Sequence, residues 1–281
     1  MSTGVIDVGS ASVRLLHNGK RIVKMTKLAE GLNASGVLSL KAMKRTAEQI
    51  EAFVSIVRKE GDECVAFATE SVRAATNRGE FINLVEEKAG LKIEIISEFE
   101  EAELALFGAC PSGSGTVIDI GGASVEIVSG EKGDILYAKS LPLGAVRLTE
   151  RSNNKKGLGQ YISAQVHRYG DVKLQKELYG VGGTLTSLAA MAQHLKKYDP
   201  SKVHGYYLTL SKIEEIEREL ISCNADSEIL EKFPSLQPLR AGIILAGTIL
   251  SKELLVYLKK DGITISEADN LDGYIKYKQI R

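Results

Sequence analysis

A twelve-residue segment occurs twice in this chain, and the repeat limits the fold more than any other feature. Residues 5–16 read VIDVGSASVRLL and residues 117–128 read VIDIGGASVEIV, identical at seven positions. Each copy has a β-branched run, an aspartate, a turn of small residues and a second apolar-alternating run, which is the pattern of a β-hairpin. A Gly/Ser turn leaves its backbone N–H groups unhindered, and turns of this kind cradle phosphate. The copies start 112 positions apart in a chain of 281 residues, which favours two domains over one.

The pattern after each hairpin is also repeated. In the first half, strands are expected at 5–8, 12–17 and 21–28, then a loop at 29–36 and a long amphipathic helix capped by Ser39 and reaching about Lys59. An apolar strand at 64–68, helices at 69–75 and 80–89, a strand at 92–96 and a helix at 99–110 follow. The PSGSG run at 111–115 concentrates turn formers and marks the domain boundary, giving expected domains 1–113 and 114–281. Strands at 116–120, 125–129 and 135–140 then restart the layout. Helices at 145–151 and 160–169, a strand at 178–181 and a helix from Thr184 towards Leu195 continue it. The remainder reads as a strand at 205–210, a helix capped by Ser211, an apolar helix at 239–258, a strand at 263–266 and an exposed basic tail at 276–281. A hairpin with a third strand followed by β–α alternation, twice over, is a duplicated mixed α/β layout.

Composition narrows the partners. Lys plus Arg and Asp plus Glu both total 36, so no global basic bias points to nucleic acid or to a membrane surface. Apolar content of 44% and charged content of 26% suit a globular protein. Cys64, Cys110 and Cys223 are odd in number and widely spaced, as expected of buried thiols in a reducing compartment. No apolar stretch approaches a membrane span, and the N-terminus lacks a signal-peptide layout, so a cytoplasmic location is expected. His17, His167, His194 and His204 form no HxxxH or HExxH spacing, which argues against zinc.

The two hairpins differ in charge. If residues 121–124 form the second turn, Asp119 faces Glu126. Like charges directly opposed across strands repel. A Mg²⁺ ion held by the two carboxylates and by substrate phosphate would relieve that, and another divalent cation would do the same. A longer turn that lets both side chains diverge into water is the alternative. In the first copy Asp7 faces Arg14, an opposite-charge pair. A third glycine loop, YGVGGT at 179–184, joins a strand to a helix where backbone amides and the helix dipole meet an anion. It also fits an ordinary tight turn. Arg73 lies one turn into a helix that follows a buried strand, a place where a guanidinium grips phosphate, although a solvated arginine fits as well. The segment SEFEEAE at 97–103 carries four acids. Ser97 and Glu100 fit a capping box, and any one carboxylate could serve as a base for water, which the spacing does not decide.

The chain resembles the exopolyphosphatase / guanosine pentaphosphate phosphohydrolase family in its short two-domain form. The carriers are VIDVGSASVRLL, ATESVRAATNRGEF, IISEFEEAELALFG, VIDIGGASVEIV, SLPLGAVRLTE and YGVGGTLTSLA, in the family's order. The resemblance implies two ribonuclease-H-like domains of the actin, Hsp70 and sugar-kinase superfold around a central cleft. It implies a Mg²⁺-dependent hydrolase that releases terminal phosphate from inorganic polyphosphate, with guanosine pentaphosphate as the alternative substrate. Carried onto this sequence, Glu101 is the general base and Asp119 and Glu126 hold the metal. Phosphate binding falls to Gly9, Ser10, Ser12, Arg73, Gly121, Gly122, Ser124, Gly182, Gly183 and Thr184. A homodimer is one assembly that the resemblance implies.

Three positions depart from the family pattern. Ala11 stands where Asn is usual, Ala123 where a third Gly is usual, and Glu98 where Gly is usual. Ala123 is expected to place a Cβ where the backbone needs unusual angles, and Glu98 to bring negative charge near the substrate. These departures leave a weakly catalytic or non-catalytic phosphate or nucleotide sensor as a further alternative.

Overall fold

The protein is described by a computed structural model that covers residues 2–151 and 157–280. It divides into two compact units, Met1–Leu104 with Asn270–Arg281, and Ala105–Asp269.

In the first unit β1 (Thr3–Val8) and β2 (Ser12–His17) form the first hairpin, and β3 (Lys20–Met25) extends it. Asn18 and Gly19 join β2 to β3 with φ of 50° and 70°. Two left-handed residues make the turn whose twist matches its strands. The stretch expected as loop contains one helical turn, α1 (Leu32–Ser35). The long helix α2 (Leu40–Lys59) is capped as expected, with Ala42 N donating to Ser39 Oγ at 3.2 Å. Then come β4 (Glu63–Ala68), α3 (Glu70–Ala74), α4 (Arg78–Ala89), β5 (Ile93–Ile95) and α5 (Glu98–Ala109). The sheet order is β3-β2-β1-β4-β5, antiparallel through the hairpins and parallel from β1 through β5. From Gly4 on, every residue of β1 is buried, as expected for a central strand covered on both faces.

The second unit repeats this plan. β6 (Gly115–Ile120), β7 (Val125–Glu131) and β8 (Asp134–Leu141) form the antiparallel part. They are followed by α6 (Ala145–Arg151), α7 (Leu158–Val166), β9 (Leu178–Val181), α8 (Gly183–Ala192) and α9 (Pro200–Val203). β10 (Tyr207–Thr209), α10 (Leu210–Ser222), α11 (Asp226–Lys232), α12 (Ala241–Tyr257) and β11 (Gly262–Ile265) complete it. The order β8-β7-β6-β9-β11 matches the first sheet strand for strand, with β10 added antiparallel at the edge. This order in both sheets is the ribonuclease-H-like layout that the family resemblance implies. The apolar α12 packs against α6, α7 and α10, and most of it is core. No helix among the described residues is long and apolar enough to cross a membrane.

Three expectations are corrected. The helix after β10 is capped by Thr209, not Ser211, because Lys212 N donates to Thr209 Oγ1 at 3.3 Å. The expected exposed tail is instead part of helix α13 (Asn270–Ile280), with Lys276 half-buried; the side chains of 278–280 and residue 281 lie outside the described residues. The division of the chain also differs from 1–113 and 114–281. α13 belongs to the first unit, where Leu271 and Tyr274 join Val5, Leu16, Phe67, Ile96 and Leu104 in one apolar cluster. The Tyr274 ring stacks on Phe67 with centroids 5.2 Å apart. A short amphipathic run shows which residues want burial but not which core receives them.

Gly273 lets α13 lie against the α5 backbone, since a Cβ there would fall 2.0 Å from the Leu104 carbonyl oxygen. Gly273→Ala gains about 1 kcal/mol of helix propensity. It also forces a rigid backbone contact apart, at a cost of roughly 1–3 kcal/mol that lies near the upper end here. The expected result is a lower urea midpoint, and an unchanged or raised midpoint would contradict this packing.

Candidate functional site

Parallel pairing brings the functional loops of each unit to one sheet edge. In the first unit the carboxyl ends of β1, β4 and β5 lead into the Gly9–Ser12 loop, α3 and α5. Ligands of α/β sheets gather at this edge. The Gly9 amide donates to the Ser12 carbonyl at 3.0 Å, so Gly9 shapes the loop and its own N–H is engaged within it. The loop carbonyls are tied back into the unit. Ala11 O accepts from Thr26 N at 2.9 Å and Lys27 N at 2.8 Å, and Ser10 O accepts from Ala29 N at 3.0 Å.

The structure separates the four acids of the 97–103 segment. Glu98 is exposed. Glu100 completes the capping box, accepting from Ser97 N and Ser97 Oγ at 2.8 Å each. Glu103 is half-buried, and Glu101 alone of the four is buried. Arg73 Nη2 donates to Glu101 Oε2 at 3.1 Å, and Arg73 Nη1 donates to the Ile96 carbonyl at 2.8 Å. Arg73 is therefore not a solvated helix arginine; it joins the ends of β4 and β5 through Glu101. Asp7 is buried and forms an ion pair with Arg14, its register partner.

The second unit carries the loops after β6 and β9, which are neighbouring parallel strands. The Gly121 amide donates to the Ser124 carbonyl at 3.0 Å, the same closure as in the first loop. The loop carbonyls are again drawn back. Ala145 N donates to Gly121 O at 3.0 Å, Val146 N to Gly122 O at 2.9 Å, and Gly144 N to Ala123 O at 3.0 Å. These donors include the first amides of α6, which have no partner within their own helix. Asp119 and Glu126 are register partners and both are buried, so the expected short turn forms and the diverging alternative does not. Ser140 Oγ donates to Glu126 Oε1 at 2.6 Å. Gly182, with φ of 89°, lies so close to Asp119 that a Cβ would be 2.6 Å from Asp119 Oδ1. Gly183 begins α8, and the Thr184 side chain packs on Gly247 of α12.

The backbone strain expected at Ala123 is absent. Among the described residues, left-handed φ at non-glycine positions occurs at Asn18, Lys27, Lys132, His194 and Lys259, and neither Ala11 nor Ala123 belongs to that group. Each loop is closed by a backbone hydrogen bond that needs no left-handed residue at its third position.

A model of the Ppx/GppA phosphatase family matches residues 5–275. The chain belongs to the Ppx/GppA phosphatase family. It is 30% identical to a bifunctional 3-dehydroquinate synthase/phosphatase of Fusobacterium nucleatum, over 96% of this chain but only 45% of that protein. It is 29% identical to exopolyphosphatase 2 of Mycobacterium tuberculosis, over 96% of this chain and 92% of the relative. The crystal structure of the Aquifex aeolicus Ppx/GppA family member is 27% identical, with a TM-score of 0.80 over 100% of this chain and 98% of that one.

Two features of this Ppx/GppA phosphatase escaped sequence reasoning. Arg240 is buried against the third glycine loop, where a Cβ on Gly183 would fall 2.0 Å from its guanidinium. It lies 57 positions from that loop, and no local spacing links the two. Gly144, inside the SLPLGAVRLTE motif, backs directly onto the second loop, where a Cβ would be 2.3 Å from Ala123 N and Gly122 C. Gly144→Ala is expected to push the second loop out of shape while the first unit stays intact. Phosphate release should fall further than the urea midpoint; retention of full activity would show that the loop tolerates the shift.

Tyrosines brace the strand that carries Glu126. Tyr169 Oη donates to Val125 O at 2.7 Å, and Tyr137 Oη donates to Tyr169 O at 2.6 Å. Burial, and secondarily the charge of Tyr257, push the Tyr137 hydroxyl up to about 12, and burial raises Tyr169 too, with the Glu126 charge adding to it. A raised folded pKa gives stability that is complete below the unfolded value near 10 and is lost as pH rises through the folded value. Urea midpoints should therefore hold steady below about pH 10 and decline from there towards 12, with a shallower decline in Tyr137→Phe.

Proposed function

We propose that this family member is an exopolyphosphatase-like hydrolase that removes terminal phosphate from inorganic polyphosphate, with Glu101 as the general base. The observation that carries the reading is the state of Glu101, the one buried acid of its segment, held by Arg73 at the carboxyl edge of a parallel sheet. A base must be fixed in place before it can orient water, and a guanidinium hydrogen bond fixes it. In the proposed step water attacks the terminal phosphorus and gives its proton to Glu101. The bridging P–O bond breaks, and the shortened chain leaves with the electron pair. In the first unit the loop amides of residues 10–12 and Arg73 are the groups that neutralise charge on phosphoryl oxygens; in the second unit the loop amides of residues 122–124, the N-terminus of α8 and Arg240 are phosphate-binding donors of the same kind. Gly9 and Gly121 act by shaping their loops, and Gly182 by leaving room beside Asp119.

The donor set of the second unit suits Mg²⁺. Two buried carboxylates in direct register supply hard oxygen ligands, and their mutual repulsion is relieved by a dication. Asp119 and Glu126 would hold the ion, with Ser140 orienting Glu126 through its hydrogen bond. When bound, the ion supplies charge neutralisation at phosphate oxygens.

The loop geometry supports an enzyme over a sensor. Ala11 and Ala123 sit in closed loops without left-handed backbone, and Glu98 is exposed. Guanosine pentaphosphate ends in the same phosphoanhydride and is the second substrate to compare. Phosphate release from both substrates, with and without Mg²⁺, should be measured side by side. Glu101→Gln is expected to lower turnover by roughly 10²–10⁴-fold, the range for losing a general base. Glu98→Gln should stay within a few-fold. Equal activity of Glu101→Gln and wild type would remove Glu101 as the base.

A further inference from the structure

A second group of ligating side chains lies at the other end of the first sheet. β1 is six residues long, so the amino end of that strand lies about 20 Å from the Gly9 loop at 3.3 Å per residue. There His17 ends β2, Asn18 occupies the β2–β3 turn, Glu60 follows the last turn of α2, and Asp62 precedes β4. One ligand atom each of His17, Glu60 and Asp62 lies within 4.8 Å of the others. His17 is buried, Asp62 half-buried and Glu60 exposed, so the group is anchored on one side and open to solvent on the other.

The hydrogen bonds within this group conflict. His17 Nε2 is 2.9 Å from Asp62 Oδ2 and 3.3 Å from Asn18 Nδ2. To donate to Asp62, Nε2 must carry its proton, and it then presents no lone pair to the Asn18 amide nitrogen. Turning the Asn18 amide over would put its oxygen at the 2.8 Å contact with Glu60 Oε2, against a carboxylate. Either orientation leaves one mismatched contact. Glu60 adds a second conflict, because it caps the carboxyl end of α2, where the helix dipole disfavours an anion.

We propose that His17, Glu60 and Asp62 form a divalent metal site, with the Asn18 amide oxygen as a further ligand. A dication accepts the Nε2 lone pair, both carboxylates and the turned amide oxygen, and so removes both conflicts. Neutral imidazole with two carboxylates carries two negative charges. That mixed N/O set suits borderline first-row ions such as zinc better than Mg²⁺. Asp62 is already oriented for the task, since Ser2 N donates to its Oδ1 at 2.8 Å. The ligands come from two separate segments, residues 17–18 and 60–62, and none from a local HxxxH repeat, so sequence spacing does not reveal the site. Its role is structural: the ion ties the β2–β3 turn to the α2–β4 connection.

The test uses the full chain, stripped with EDTA and titrated with ZnCl₂, and in parallel with MnCl₂ and MgCl₂, by equilibrium dialysis and thermal melting. Zinc is expected to raise the melting temperature, because it binds the folded state alone. His17→Gln should lose about one equivalent of bound zinc. Glu60→Gln, an exposed substitution that keeps an acceptor for Asn18, should weaken that equivalent at least roughly tenfold. Asp119→Asn should retain it. Should His17→Gln fail to fold, Glu60→Gln decides the matter. A zinc isotherm unchanged in the folded variants, or the loss of this equivalent in Asp119→Asn, would overturn the proposal.

Discussion

Parallel pairing of β1 with β4, and of β6 with β9, is the constraint on which the rest of each unit depends. Parallel neighbours end at the same edge, so whatever follows them is collected there. In the first unit this places the Gly9 loop, Arg73 and Glu101 along one edge. In the second it places the Gly121 loop beside Gly182 and Gly183. The buried central strands leave little freedom in register, because a slip of one residue would turn Asp7 or Asp119 to the opposite face.

Charge is handled differently at each of these edges. Asp7 is balanced within its own hairpin by Arg14, and Glu101 by an arginine from α3, the helix that follows the neighbouring strand β4. Asp119 and Glu126 face one another with the same sign. The loops themselves are built alike, with carbonyls drawn back by amides of the segment that follows β3 or of the residues that lead into and open α6, and the first amide closing the turn. The duplicated frame therefore carries unlike chemistry: an arginine-held carboxylate in one copy and a paired carboxylate set in the other.

Much of this was legible because it is local. The two hairpins, the Asp7–Arg14 and Asp119–Glu126 pairings, the Ser39 cap and the Ser97–Glu100 capping box follow from spacing of a few residues. Errors arose where a nearby alternative existed or where the partner was distant. Thr209 lies two residues before Ser211 and its hydroxyl reaches Lys212 N. α13 joins the first core through Leu271 and Tyr274, an association across the whole chain.

By itself the sequence determined the doubled hairpin frame and the residue types at each loop, since these depend on periodicity and turn chemistry within short segments. Only the tertiary structure decided which of four neighbouring acids is buried against Arg73, that Arg240 and Gly144 back the second unit's loops, and that Ala11 and Ala123 sit without strain. Each of those depends on burial or on contact between segments far apart in the chain. Both are set by packing, which no local spacing encodes.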